Sequence, residues 1–473
     1  MKHFCNIRVI TLATILLLLL AVIAMSRRPI PAASGAQGPK TYVLTTAGPW
    51  GPEENDAVSK AGGIVTFSHQ IGIGIVTSDA TDFLERAEAS NRFSDVIPDE
   101  VHQWQEPIQS VELEESAVTP GNETFINLQW NIKAVEAPAA WDAGFDGSGV
   151  RVAVIDGGIY SAHQDLDGNL DVAASRSFVP GFAFNQDVGT FWHGTHVAGI
   201  IAAEDNSIGT LGIAPRATII GVKALHNGSG SFGAVISAIL YASTPLSEGG
   251  GGADIINMSL GATFARGGGN TGAGRLVAAL NKAVNFAARN TLVITSAGNG
   301  ALDLDHSDSV ITVPAQSGSG LAVSATGPVG YAVGFPNGAT NFRRPASYTN
   351  FGNSAIWVAA PGGDGVFTPT SQLCSVPAVP AGSLTAPCFV LDLVLSTARG
   401  AAASTTTYAF AAGTSMAAPA ASGVAALIKQ RFPNISVGAL KNRLAQSADD
   451  EGPNGHDPVY GRGFVNARRA VTE

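Results

Sequence analysis

Cysteine is scarce in this chain of 473 residues: three in all, Cys5, Cys374 and Cys388. Neither of the two later ones has a histidine near it in sequence, which argues against a thiol nucleophile or a zinc site. Charge is also thin, at 14% of residues, too little for a coiled coil or a disordered chain. Positive charge is the scarcer sign. The net charge is −10, and basic residues cluster no further than the pairs Arg27-Arg28, Arg343-Arg344 and Arg468-Arg469, which argues against a nucleic-acid partner. No internal repeat is apparent.

Apolar residues make up 45% of the chain, and 56 glycines point to many tight turns and close backbone approaches. The length fits two or three domains. One long apolar run, residues 9–25, follows Lys2 and Arg8 and precedes the small-residue stretch PAASGA. That is the layout of a secretory signal, expected over residues 1–36 and removed with Cys5. An uncleaved anchor is the alternative, since the run reaches the lower limit of about 17 residues for a membrane span. Arg27-Arg28 falls after the run and makes no twin-arginine signal. In an exported protein, Cys374 and Cys388, which bracket a Pro- and Ser-rich loop, are expected to form a disulfide; two buried free thiols is the alternative.

Residues 37–104 alternate compactly. TYVLTT reads as a strand, EENDAVSKAG as a helix and GIVTFSHQIGIGIVTS as a strand or hairpin. ATDFLERAEAS then reads as a second helix and FSDVIPDEVHQW as a last strand, giving a small α+β unit of ferredoxin-like type. A polar stretch without periodicity, residues 105–124, reads as a linker open to proteolysis. From residue 148 the apolar strands VRVAVID, ATIIGVKAL, ADIINMSL, TLVITSAGN and GLAVSAT alternate with helical segments. Such alternation implies a mostly parallel α/β sheet covered on both faces, with functional groups gathered outside the carboxyl ends of its strands.

Asp156, Ser259 and Asn299 each stand at such an end. Asp156 closes the apolar run RVAVI, and the simplest reading of an Asp-Gly pair there is a turn. Three distant segments weigh against it: FWHGTHVAGI, TSAGNG and AAGTSMAAPAASG each set a polar residue among small ones. An Asp, a His and a Ser from separate segments suit a relay. The His takes the serine proton, while the Asp fixes the imidazole tautomer and stabilises the imidazolium.

VIDGGI, HGTHVAGIIAA and GTSMAAPAASG resemble, in order, the three signatures of the subtilisin-like serine protease family. The likeness runs over residues 125–470, within an expected catalytic domain of residues 125–473, and takes in NMSLG, TSAGN and YGRGFVNARRA. It implies that Asp156 is the triad Asp, His193 the general base and Ser415 the nucleophile, with His196 structural. Asn299 resembles the side chain that joins the Ser415 N–H in binding the oxyanion. SLGA, with Ser259, Leu260 and Gly261, and GSGSF, with Gly228, Ser229, Gly230 and Phe232, resemble two extended segments that sandwich a peptide as added strands. Ala297 and Gly298 would line a P1 pocket for a large apolar residue. Leu260 and Phe232 would make an apolar P4 pocket, unless both are ordinary core residues. Asp303, Asp305 and Asp308 either give the rim an affinity for basic residues or form a solvated loop.

The resemblance also implies a structural Ca²⁺ held by Asp165 and Asn206 side chains and the carbonyls of Glu204, Ile208 and Thr210, completed by Asn127 or Gln129. An organic cofactor is not implied. The first α+β unit resembles the family's propeptide, its tail near PDEVHQWQEP, with self-cleavage in the linker. One departure stands out: Gly157 follows Asp156 where the family usually has a hydroxyl residue. Residues 363–408 fit no part of the family pattern and read as a surface insertion. The function expected is that of a secreted, monomeric endopeptidase made as a zymogen, acting on proteins or peptides, with no nucleic-acid partner and no stable membrane partner after signal removal. A binding protein on an inactive protease fold and an acid-active serine-carboxyl peptidase are the alternatives. Both fit poorly with Asp156, His193, Asn299 and Ser415 all in place.

Overall fold

The computed structural model describes residues 39–105, 109–112, 125–186, 192–266, 271–307, 309–336, 341–377, 382–400 and 406–473. The expected leader, most of the expected linker and Asp308 lie outside the described residues, and all that follows concerns the compact unit Thr41–Glu473. It begins with strand β1 (Lys40–Thr45), helix α1 (Pro52–Ala61), β2 (Ile64–His69), β3 (Ile73–Ser78), α2 (Phe83–Ala89), β4 (Asp95–Pro98) and β5 (Val101–Gln103). Proline at its first position and a Glu54 carboxylate on the Gly51 N–H start α1, and Gly62 in the left-handed region (φ +89°) ends it. The sheet order β2-β3-β1-β4 is the ferredoxin-like arrangement expected. Alternate residues of β1 face opposite ways: Tyr42 and Leu44 meet the helices through Phe83 and Val58, while Val43 joins Ile73, Ile75 and Ile97 on the other face. The last strand differs from expectation. It breaks after Pro98, and β5 leaves the sheet to pair elsewhere.

Beyond it come β6 (Gln109–Glu112), the short helices α3 (Trp130–Ala134) and α4 (Ala137–Asp142), β7 (Arg151–Asp156), β8 (Arg176–Ser177) and α5 (His193–Ala202). Then follow β9 (Thr218–Lys223), β10 (Ser229–Ser231), α6 (Phe232–Ser243), β11 (Ile255–Met258), β12 (Ala262–Ala265), α7 (Gly272–Ala287), β13 (Leu292–Ser296), β14 (Val310–Val313), β15 (Leu321–Thr326) and β16 (Ile356–Pro361). The main sheet runs β16-β15-β13-β11-β7-β9-β8, and every neighbouring pair in it is parallel. Strand β7 is buried on both faces. Val152 and Val154 pack with Val197, Ile201 and Val424, whereas Ala153 and Ile155 pack with Val235, Ile239 and Leu280. That two-sided burial explains its unbroken apolar run. The second of these cores also takes in Val43, Ile75 and Ile97, so the small α+β unit lays its open sheet face on α6 and α7.

The chain closes with β17 (Leu373–Pro377), β18 (Ser383–Pro387), β19 (Val394–Arg399), β20 (Thr406–Ala412), α8 (Thr414–Arg431), α9 (Val437–Gln446) and α10 (Ala467–Thr472). Cys374 and Cys388 are joined by a disulfide across the base of the β17–β18 hairpin. Two expectations are corrected here. Residues 363–408 are not merely a surface insertion, since Leu391, Leu393, Leu395 and Tyr408 form a buried core with Phe125 and Leu128. The stretch read as a structureless linker contains β6, which pairs with the edge of β20 from Gln109↔Ala412 to Glu112↔Ala409. A four-residue edge strand carries too few alternations to be legible against polar neighbours.

Helix α8 is buried from Thr414 through Ile428. Its small residues let it thread the interior against α5 and the sheet. Helix α5 touches β19 more closely still: the Thr397 hydroxyl donates to Thr195 O (2.8 Å) and the Ser396 hydroxyl to His196 O (2.9 Å). A Cβ at Gly199 would stand 2.1 Å from Thr397 Oγ1 and 2.4 Å from Ser396 Oγ, both committed to those bonds. Gly199→Ala is therefore expected to lower stability by about 1–3 kcal/mol, read as a fall in urea midpoint with an unchanged m-value.

Candidate active site

Asp156 ends β7, and its carboxylate is 1% exposed. Oδ1 accepts the Gly157 N–H at 2.6 Å. His193, equally buried, opens α5 with Nδ1 2.9 Å from Asp156 Oδ2 and 3.1 Å from Oδ1. The glycine after it makes this approach possible, because a Cβ at Gly194 would stand 2.2 Å from Gly158 O and 3.0 Å from Asp156 Cβ. Ser415 lies in the first turn of α8 and is 7% exposed. Its carbonyl accepts the Ser259 hydroxyl (2.8 Å), Ser259 Oγ accepts Asn257 Nδ2 (3.0 Å), and Asn257 Oδ1 accepts the Ser422 hydroxyl (2.9 Å). This chain of bonds ties the end of β11 to α8. Ser259 thus holds the helix rather than presenting its side chain to a groove.

Asn299 is oriented by a residue the sequence did not single out. Its Oδ1 accepts both the N–H (2.9 Å) and the hydroxyl (2.8 Å) of Thr414, whose Oγ1 accepts the Gly298 N–H (3.1 Å). With the amide oxygen so held, Nδ2 occupies the opposite edge of the amide. The loop behind it is braced by Asn350, which donates to Ala297 O (2.9 Å) and accepts from the Gly300 (3.0 Å) and Leu302 (2.9 Å) N–H groups. Gly298 sits at φ +101° with Asn350 Nδ2 2.4 Å from where a Cβ would be, so only glycine fits there. Ala297 is fully buried beside Leu304 and Ala322.

A piece of the chain itself occupies the groove. β5 pairs antiparallel with β10, Ser229↔Gln103 to Ser231↔Val101. The Trp104 N–H continues this edge by donating to Gly228 O (2.9 Å), and on the other side the Gly261 N–H donates to Trp104 O (2.7 Å). Trp104 is fully buried, its Nε1–H on Gly230 O (2.8 Å) and its ring 5.0 Å from Phe232 and 6.1 Å from Phe264. Leu260 belongs to the same apolar cluster. Next, Gln105 Nε2 donates to Asp156 Oδ1 (2.7 Å) and lies 2.9 Å from His193 Nδ1. Phe264 was missed as a site residue, while Trp104 and Gln105 fall in the expected tail PDEVHQWQEP without having been singled out. Only the alternation of β12 hinted at Phe264, and nothing local marks Gln105.

Asp303 and Asp305 have local partners. The Asp303 carboxylate holds His306 Nδ1 (2.8 Å), and Asp305 accepts the Asn353 (2.7 Å) and Ser354 (3.0 Å) N–H groups, as a structured loop would. Asp165 is fully buried, and its Oδ2 accepts the Thr210 N–H (2.9 Å) and hydroxyl (3.0 Å). The Tyr408 hydroxyl also interacts with this carboxylate. Burial pushes the Asp165 carboxyl well above the usual range, with the two Thr210 donors pulling the other way. Asn206 Oδ1 folds over its own loop onto the Ile208 N–H (3.0 Å), and the Glu204 carboxylate takes the Gly168 N–H (2.6 Å). The two residues expected to complete a cation site are engaged elsewhere. Gln129 brackets Leu211 through its N–H and C=O, and Asn127 donates to Pro377 O. No group of three His, Cys, Asp or Glu side chains gathers as a metal site among the described residues. A hard cation would rest mainly on the Asp165 carboxylate and backbone carbonyls, a donor set suited to Ca²⁺.

The parallel sheet covered by helices, with an Asp–His pair at the end of a central strand and a serine opening a buried helix, defines an α/β protein of the serine-peptidase class. Residues 147–463 match the subtilase family, and the chain belongs to it. It is a serine endopeptidase of subtilisin type. It is 35% identical over 347 residues to Subtilisin Savinase of Lederbergia lenta, a match covering 73% of this chain and 99% of that protein. M-protease of Shouchella clausii (strain KSM-K16) is also 35% identical over 347 residues, 70% of its length. Among solved structures, a protease of Pseudoalteromonas arctica PAMC 21717 aligns at TM-score 0.56 and 28% identity over 75% of this chain and 99% of its own. The epidermin leader peptide processing serine protease of Staphylococcus aureus aligns over 92% of this chain and 98% of its own at TM-score 0.68; at 19% identity it speaks for the fold alone.

His196, one turn after His193, is fully buried and bonds Ala409 O through Nε2 (2.9 Å), fastening α5 to β20. Burial lowers its pKa to about 3, with the Ala409 bond pulling the other way. An unfolded imidazole protonates near its ordinary value while the folded one stays neutral, so stability is lost as pH falls from about 6.5 toward 3. The slope is up to about 1.4 kcal/mol per pH unit from this residue. Urea midpoints of inhibited enzyme between pH 7 and 4 are expected to fall, and His196→Gln to flatten that slope.

Proposed function

We propose that Asp156, His193 and Ser415 act as the catalytic triad of this endopeptidase, with Asn299 and the Ser415 N–H receiving the oxyanion. The observation that carries the reading is the 2.9 Å contact of His193 Nδ1 with Asp156, at the end of a groove lined by an extended peptide segment. Asp156 keeps the ring proton on Nδ1, leaving Nε2 to take the Ser415 proton as Oγ bonds to the scissile carbonyl carbon. The C–N bond then breaks, and His193 passes the proton to the leaving amine. Water repeats the sequence to free the acyl group. Negative charge on the carbonyl oxygen is met by Asn299 Nδ2, aimed by the Thr414 grip on the other end of its amide, and by the first turn of α8.

Residues 37–104 act in this reading as a propeptide, with 105–124 carrying the processing site ahead of the catalytic domain, 125–473. The tail supports it: Val101–Gln103 and Trp104 engage Gly228, Ser229, Gly230 and Gly261 by main-chain bonds as an extended substrate would. Gln105 competes with His193 for the same Asp156 oxygen. Main-chain recognition favours broad specificity. The pocket of Phe232, Leu260 and Phe264 takes one large apolar side chain, and Ala297 and Gly298 leave room for an apolar P1 residue. The apolar segment 9–25 supports export, and no described helix is long and apolar enough to cross a membrane. A structural Ca²⁺ held by Asp165, Asn206 and the carbonyls of Glu204, Ile208 and Thr210 would supply only charge compensation there, remote from the chemistry.

Ser415→Ala is expected to accumulate at full precursor length and to resist labelling by a fluorophosphonate that modifies the wild type. Normal processing of that variant, or its labelling, would remove Ser415 from its role. Chelation of mature enzyme by EDTA is expected to lower Tm by several degrees and restore it with added Ca²⁺; an unchanged Tm would remove the cation.

A further inference from the structure

One buried ionisable group beside the site has no part in the chemistry above. Lys223 is the last residue of β9, paired in register with Asp156 on β7, and it is fully buried. Taking an ammonium out of water is costly, and a methionine of similar volume would fill the space at no such cost. Its Nζ donates to Gly157 O, in the turn after Asp156, and to Leu225 O at 2.9 Å, in the segment that follows β9. The second of these residues is itself bound to Asp156, whose backbone oxygen accepts the Ala224 (2.9 Å) and Leu225 (3.2 Å) N–H groups. The ammonium therefore clamps together the two chain segments that leave the carboxyl ends of β7 and β9.

Gly157 is the residue most affected. Its N–H lies 2.6 Å from Asp156 Oδ1, the one main-chain donor to that carboxylate among the described residues, and its carbonyl lies on Lys223. Glycine has no side chain to restrict its backbone, so a donor carried by it is only as steady as the atoms that hold its two peptide groups. With the N–H on Asp156 and the C=O on Lys223, both torsions of Gly157 are fixed. Without the second contact, the following Gly158, at φ +125°, would leave two adjacent glycines free to turn.

We propose that Lys223 is a positioning residue for catalysis: through Gly157 O it holds the peptide whose N–H orients Asp156, and so keeps the carboxylate in line with His193 Nδ1. It acts through the main-chain carbonyl of Gly157 and not by a hydrogen bond to the reacting atoms. Its effect belongs to the turnover step, where the imidazolium forms, and not to peptide binding, which uses Gly228, Gly230 and Gly261 some way along the groove. The inference rests on the triad reading above.

The test uses mature enzyme, with active sites counted by fluorophosphonate titration so that misfolded protein drops out. Lys223→Met is expected to lower kcat per labelled site about tenfold or more while KM stays within about twofold, and adding Gly157→Ser to it is expected to recover at least about threefold by stiffening the turn. Lys223→Gln, measured the same way, stands in if the methionine variant does not mature. A kcat per labelled site close to wild type in whichever variant matures, a loss carried by KM, or no gain from Gly157→Ser would overturn the proposal. Failure of the wild type to label at Ser415 would instead overturn the triad reading.

Discussion

Burial of β7 on both faces is the constraint on which the rest of the site depends. A central strand whose interior side chains, Val152 to Ile155, are apolar can carry a carboxylate only where the sheet stops, and Asp156 stands at that point held by the Gly157 N–H, Gln105 and His193. The neighbouring strands end at the same level, so the segments that follow β9, β11 and β13 converge there without any one of them being long. Small residues then set the spacing. Gly194 lets His193 approach, Gly298 lets the Asn299 loop approach Asn350, and the alanines of α8 let Ser415 enter from the interior. The chemistry is assembled from backbone proximity first and side chains second.

The groove follows from the same layout. β10 and the segment around Gly261 leave unpaired main-chain donors and acceptors facing each other across a gap one strand wide, and such edges take any extended chain. In this structure the occupant is the chain's own stretch from Val101 to Gln105, delivered by a unit whose open sheet face is packed on α6 and α7. Trp104 contributes what the main chain does not, a large apolar surface in an aromatic pocket with its indole N–H satisfied. The tail thus fills the groove through both its main chain and one aromatic side chain.

Much of this was legible beforehand. Strand and helix alternation, the α+β unit before it, the disulfide of Cys374 with Cys388, and the segments around Asp156, His193, Asn299 and Ser415 all carry local signals: period-two burial, glycine spacing, short motifs. Misreadings fell where the signal is not local. β6 has four residues and gains its meaning from β20, nearly three hundred positions on. Gln129 has the right side chain for a cation but is spent on Leu211. Residues 363–408 looked like an insertion because the partners that complete their buried core, Phe125 and Leu128, lie more than two hundred positions away.

The sequence by itself determined the family, the strand that ends in Asp156 and which His and Ser could serve it, because these depend on neighbours within a few residues. Only the tertiary structure decided who holds those groups. Thr414 grips Asn299 from 115 positions away, Gln105 reaches Asp156 from 51, and Lys223 reaches Gly157 from 66. A threonine, a glutamine and a lysine are ordinary in any sequence window, and they acquire a role when a parallel sheet brings the ends of its strands to one level.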